Sequence, residues 1–163
     1  MEMGWQGIAL GVGATLIMDL WALFQARVLK IPSLDYRLVG RWIGRMRYGE
    51  WRHRTILQAP VVAGEKPLGW LAHYLIGVLF ATLFLSCVGP SWLQAPALLP
   101  ALLAGIISVL SPFLIMQPAF GFGVAAARTP HPSVARRRSL IAHLSFGVGL
   151  WLSGCALRLA GGL

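Results

Sequence analysis

One octapeptide pattern occurs twice in this chain, each time around a histidine. Leu71-Ala72-His73-Tyr74-Leu75-Ile76-Gly77-Val78 returns as Ile141-Ala142-His143-Leu144-Ser145-Phe146-Gly147-Val148. An ionisable residue in a long apolar run is costly, and within a membrane span it marks a functional site by default. Asp19 and Gln117 lie in equally apolar surroundings. Thr15, one turn before Asp19, and Tyr74, next to His73, complete the candidate set. Desolvation raises the pKa of a carboxyl and lowers that of an imidazole, while mutual contact pushes both back toward the charged forms. A cluster of this kind can share and pass a proton near neutral pH. Three chemistries fit these residue types. One is binding or transport of a proton, an ion or a small ligand. Another is a hydrogen-bonded layer that only fixes helix register. The third is a metal or haem held by His73 and His143, with Asp19 added for a divalent metal. No diagnostic spacing such as His-Glu-x-x-His is present, so the sequence names no cofactor. No serine or cysteine nucleophile with a base beside it can be read from the sequence, and the reading leans away from an enzyme.

These residues need apolar elements to position them. Of 163 residues 57% are hydrophobic and 12% charged, with a mean hydropathy of +0.70. An ordinary soluble domain carries about 25% charged residues. A helix that crosses a bilayer needs about 20 mostly apolar residues. Four stretches qualify, near 5–28, 68–88, 97–118 and 139–159. The fold class expected is all-α: a polytopic membrane four-helix bundle in one integral domain. In the first span Gly7, Gly11, Thr15 and Asp19 recur every four residues and share one helix face. Small residues at that spacing let a second helix approach closely. Pro112 and Pro118 predict a kink or break in the third span near Gln117.

Residues 34–48 form a shorter helix of a different kind. Leu34, Leu38, Trp42 and Met46 recur every four residues, with Arg37, Arg41 and Arg45 in step on another face. That is the pattern of a basic amphipathic helix at the membrane interface, its arginines facing anionic lipid headgroups. A loop helix packed on the bundle is the alternative. Ser33 is the expected N-cap of this helix, Gly49 its end, and Ser133 a cap for the fourth span. His53 reads as a solvated loop histidine.

Charge sets orientation and excludes partners. The formal net charge is +9. Nine lysines and arginines lie in 27–67 and four in 128–138, while the turn at 89–96 has none. Such asymmetry is topological, which argues against a nucleic-acid partner and makes the connections after spans one and three cytoplasmic. Both termini then face the periplasm of a bacterial inner membrane. The N-terminal run has no basic segment before it and continues to Leu29, so it reads as a retained span rather than a cleaved signal. Cys87 and Cys155 read as inert thiols in apolar runs. Four short spans enclose little volume, which suggests a homo-oligomer.

The histidine motifs match at an offset of 70 residues, and spans one and three match at 98, which sets Asp19 opposite Gln117. A parallel tandem repeat of two helix pairs is the expectation. Counting from charged boundaries puts Asp19, His73 and His143 about 8–12 Å inside the cytoplasmic face. Gln117 joins that layer only if its span runs on to about Ala127.

Met18-Asp19-Leu20-Trp21, Ile31-Pro32-Ser33-Leu34-Asp35-Tyr36, Gly69-Trp70-Leu71-Ala72-His73-Tyr74, Met116-Gln117-Pro118-Ala119 and Arg128-Thr129-Pro130 together resemble a bacterial family. Its members are small integral membrane proteins classified only as a domain of unknown function. The resemblance covers nearly the whole chain and implies a four-span inner-membrane protein. It implies no activity.

Overall fold

The computed structural model describes residues 2–160. Among the described residues the regular structure is helical throughout. We label the main helices α1 (Glu2–Arg27), α2 (Tyr36–Met46), α3 (Glu65–Val88), α4 (Leu98–Ala119) and α5 (Pro132–Leu159). All but α2 are long and apolar enough to cross a membrane. Their outward side chains support that reading: Ile8, Leu16, Leu20, Leu71, Leu75, Leu79, Ile107 and Leu114 are all exposed. A soluble monomer rarely exposes so many large apolar side chains along its helices. Compared with the sequence expectation, α3 starts earlier, at Glu65, and α5 starts at Pro132. Pro132 occupies the helix start, where its missing N–H is no loss, so Ser133 lies inside the helix and is not its cap.

The chain divides into two compact units. A bundle unit comprises Met1–Ser33, Tyr74–Ser108 and Ile141–Leu163, and a basic unit comprises Leu34–His73 and Val109–Leu140. In the bundle unit α1 and α3 run antiparallel along the small-residue stripe. A Cβ on Gly7 would lie 2.5 Å from the Thr82 hydroxyl, and one on Gly11 2.4 Å from the Val78 Cα. Contacts that short leave room only for glycine. The bundle portions of α4 and α5 meet in the same way, since a Cβ on Gly105 would lie 3.0 Å from the Gly147 Cα. Leu10, Leu85, Leu93 and Leu150 form the fully buried centre of this unit. The Trp92 ring closes one end, edge-on to Phe84 at 4.8 Å, with Nε1 donating to the Ala97 carbonyl.

Both halves therefore contain a glycine-seamed helix pair. The contacting glycines Gly11 and Gly105 are 94 residues apart, whereas the sequence match uses 98. The contact register thus differs from the sequence match by one helical turn.

In the basic unit α2 crosses the start of α3. A Cβ on Gly40 would lie 1.8 Å from the Glu65 carbonyl oxygen, and one on Gly69 1.8 Å from that of Tyr36. The cap of α2 is Asp35, not Ser33, because its carboxylate accepts from the Arg37 backbone N–H at 3.0 Å. Val39, Ile56 and Phe120 form a buried core, against which Leu38, Trp42, Ile43 and Ala72 pack. The apolar side of α2 is thus half-buried at Leu38, Trp42 and Met46, while Leu34 is exposed. Residues 53–56 pair with the end of α4: His53 N–H donates to the Ala119 carbonyl at 2.8 Å and Ile56 N–H to that of Phe120 at 3.0 Å. Gly121, at φ +85°, turns the chain there, and a Cβ on it would lie 2.1 Å from the Arg54 carbonyl oxygen.

The proline effect in α4 takes a specific form. Residues Pro112–Met116 are a π-helical segment, in which Gln117 N–H donates to the Pro112 carbonyl. A π-turn inserts about one extra residue and rotates the helix beyond it. Helix α4 ends at Ala119 and does not continue to Ala127. Gln117 therefore sits in its last turn, and the depth condition for its place in the expected layer is not met.

Candidate functional site

Each candidate residue has partners inside its own unit. Asp19 and His143 belong to the bundle unit, His73 and Gln117 to the basic unit.

In the bundle unit the stripe on α1 ends at Asp19, whose carboxylate is hydrogen-bonded to the Tyr74 hydroxyl of α3. Both side chains are half-buried. One turn earlier Thr15 is fully buried, and its hydroxyl donates to the Gly11 carbonyl at 2.8 Å. That bond commits the hydroxyl proton to its own helix. Thr15 also fills the space left by Gly77, whose Cβ would fall 2.0 Å from Thr15 Oγ1. Glycine at 77 is thus what admits Thr15, and the seam carries the two helices past it to the Asp19–Tyr74 contact.

The second polar contact joins α4 to α5. Ser108 Oγ lies 2.8 Å from His143 Nδ1, and the same hydroxyl donates to the Gly105 carbonyl at 2.7 Å. A hydroxyl has one proton. Donating it to Gly105 leaves the serine oxygen to accept from His143 Nδ1–H. The role of Ser108 in orienting His143 has no signal in linear spacing.

In the basic unit His73 stacks on Tyr36 with ring centroids 4.1 Å apart and an interplanar angle of 24°. Trp70 meets it edge-on at 5.9 Å. Gln117 is buried, and its Nε2 donates to Ser139 Oγ at 3.2 Å, while Oε1 has no hydrogen-bond partner among the described residues. His53 is half-buried rather than solvated, with Nε2 enclosed.

All three arginines of α2 are paired with carboxylates of the basic unit. Arg41 holds Glu65 with two bonds, Nε–Oε2 at 2.8 Å and Nη2–Oε1 at 2.9 Å, and only 12% and 10% of the two side chains is exposed. Arg37 holds Asp35, and Arg45 holds Glu50. The guanidinium of Arg37 keeps the Asp35 carboxyl below its usual range, and Arg45 does the same to Glu50. Glu65 is 24 residues downstream of Arg41, so helix periodicity alone could not reveal the pair.

Among the described residues no group of three His, Cys, Asp or Glu side chains is placed to hold a metal ion. The His73, His143 and Asp19 set expected for a divalent metal therefore gains no support. An open groove of about 370 Å³ runs along the bundle unit, lined by Ile17, Trp21, Ile141, Leu144, Ser145 and Val148. Its one polar side chain, Ser145, donates to the Ala142 carbonyl at 2.6 Å, so the groove suits hydrocarbon rather than a polar cargo.

The family described as "Protein of unknown function (DUF2938)" matches this chain over residues 8–157. No curated protein and no solved structure matches it.

Proposed function

Starting from the chain's membership of that family, whose description assigns no activity, we propose a function from the residues themselves. The protein is a small multi-pass membrane protein that binds a proton or a small cation at Asp19. One observation carries this reading: a carboxylate inside an apolar span, hydrogen-bonded across a glycine seam to Tyr74. A seam needs small residues, and Gly7, Gly11 and Gly77 meet that need without an acid. A carboxylate in a span is costly and is retained where it handles charge. Tyr74 supplies a hydroxyl beside the carboxylate, and a proton or a small cation is the class of ligand a carboxylate oxygen takes.

A second reading has its own support. Both polar contacts in the bundle unit, Asp19–Tyr74 and Ser108–His143, join neighbouring helices, which is what a scaffold or accessory subunit requires. Reconstituted protein with Asp19→Asn separates the two. In the proton- or cation-binding reading the variant folds like the parent and loses pH-dependent cation binding or flux. In the scaffold reading the parent itself shows no such dependence, and the variant changes only stability.

The proposed setting is the bacterial inner membrane with both termini in the periplasm, by the positive-inside rule. Cytoplasmic reporters fused after Gly49 and after Pro132 are expected to be active, and one at Gln94 inactive. Activity at Gln94 would reverse the orientation.

A further inference from the structure

The charge of this protein is concentrated. Eleven of its fourteen lysines and arginines, and three of its five carboxylates, fall in the basic unit, which gives that unit +8 of the total +9. Those three carboxylates are Asp35, Glu50 and Glu65, and they are held by Arg37, Arg45 and Arg41. The arginine face of α2, which the sequence offers to lipid, is therefore already balanced by protein. The excess charge lies elsewhere in the unit.

Part of it lies in the connection after α2. Arg47, Arg52 and Arg54 are exposed there, among the exposed apolar side chains Trp51, Leu57 and Val61. The connection is held firmly. Trp42 Nε1 donates to the Trp51 carbonyl at 2.9 Å, residues 53 and 56 pair with the end of α4, and Ile56 is fully buried. Arg47 rests on the Tyr48 ring, 4.7 Å from its centroid, a neutral partner that leaves its charge uncompensated. Exposed tryptophan and aliphatic side chains interleaved with arginine suit a membrane–water interface, where the rings enter the headgroup layer and the guanidiniums meet phosphate.

We propose that residues 47–61, and not the arginine stripe of α2, form the surface by which this protein engages anionic phospholipid headgroups. The inference rests on the membrane placement proposed above, but its test does not depend on which way the chain is inserted. The full chain in neutral detergent is titrated with phosphatidylglycerol and with phosphatidylcholine of the same chain length, and bound lipid is counted by native mass spectrometry. The parent is expected to prefer phosphatidylglycerol. Replacing Arg47, Arg52 and Arg54 together by Gln removes that preference, by about fivefold per arginine, which corresponds to about 1 kcal/mol for each basic residue near a charged surface. Arg37→Gln leaves the preference within twofold. The same three positions as Lys keep it. No preference in the parent, a full preference in the triple Gln variant, or an equal loss in Arg37→Gln would each overturn the proposal. So would loss in the triple Lys variant, which would trace the effect to folding rather than charge. Displacement of phosphatidylglycerol by millimolar inorganic phosphate would assign the surface to free phosphate instead, and would overturn it too.

Discussion

The ion pair between α2 and α3 gives the sharpest mechanical expectation. Glu65→Gln keeps the size of the side chain and removes its charge. In the parent, the Arg41 guanidinium makes two bonds to the carboxylate, at 2.8 and 2.9 Å, and weaker ones to the Ile56 and Ala59 carbonyls at 3.5 and 3.3 Å. Glu65 also accepts from Val62 N–H at 3.3 Å. An amide offers one acceptor and turns its NH₂ toward a group that can only donate. Arg41 is then left largely enclosed without its counter-charge. Breaking a fully buried pair from one side costs about 3–5 kcal/mol. Here some solvent reaches both groups, so the expected loss is about 2–4 kcal/mol. Replacing both residues by Met removes the desolvation penalty along with the attraction and is expected to cost far less than the single change. Because the pair fixes α2 on α3, the loss should appear locally. Hydrogen exchange at the amides of 36–46 quickens, while amides at the centre of α1 keep their protection. A Glu65→Gln protein as protected as the parent, or a double variant as damaged as the single one, would refute the argument.

Two more contacts carry expectations of their own. The Asp35 carboxyl is depressed by Arg37, chiefly through its side-chain hydrogen bonds, so its contribution is fully present above the unfolded value of 3.8 and is lost as pH falls through the lower folded value. Protection of the α2 amides should therefore hold from pH 8 to about 5 and fall below about 4, and Asp35→Asn should lessen that acid response without abolishing it, because Arg41 also holds down the Glu65 carboxyl; an unchanged profile in the variant would remove the assignment. Gly11→Ala pushes a methyl into the Val78 backbone and is expected to destabilise the bundle by about 1–3 kcal/mol, whereas Gly4→Ala, with nothing within 4 Å, should be neutral within about 0.5 kcal/mol in the same thermal melt.

Much of the architecture was legible because apolar runs and a period of four are direct readouts of helix geometry. The four spans and α2 fall close to where the pattern puts them. The stripe Gly7, Gly11, Thr15, Asp19 does share one face, and that face meets α3. What escaped the sequence is pairing across distance. Spacing identifies residues on one face of one helix, but not which residue of another helix meets them. Thus the Arg41–Glu65 pair and the Ser108–His143 bond had no signal in linear periodicity. The α2 cap falls at Asp35 for a local reason: Ser33 and Asp35 lie in the same short polar run, and the carboxylate also binds the Arg37 side chain. The site was harder than the fold. A repeat alignment of apolar helices can slip by a turn with little loss of matches, and the glycine contacts stand one turn away from the register that set Asp19 opposite Gln117.

The two helix pairs nonetheless share a construction, and their difference bears on function. In each, a glycine contact brings the backbones together, and a hydrogen bond between side chains lies beyond it. In the first pair the seam at Gly11 leads to Asp19–Tyr74, and in the second the seam at Gly105 leads to Ser108–His143. In the second contact the serine proton goes to Gly105 and the imidazole donates to the serine oxygen. The first contact pairs a phenol hydroxyl with a carboxylate. The two glycine seams thus lead to different side-chain pairs, a phenol with a carboxylate and a hydroxyl with an imidazole. If the protein handles protons or cations, the burden falls on the first pair, and substitutions at Asp19 and Tyr74 should affect that activity more than substitutions at Ser108 and His143.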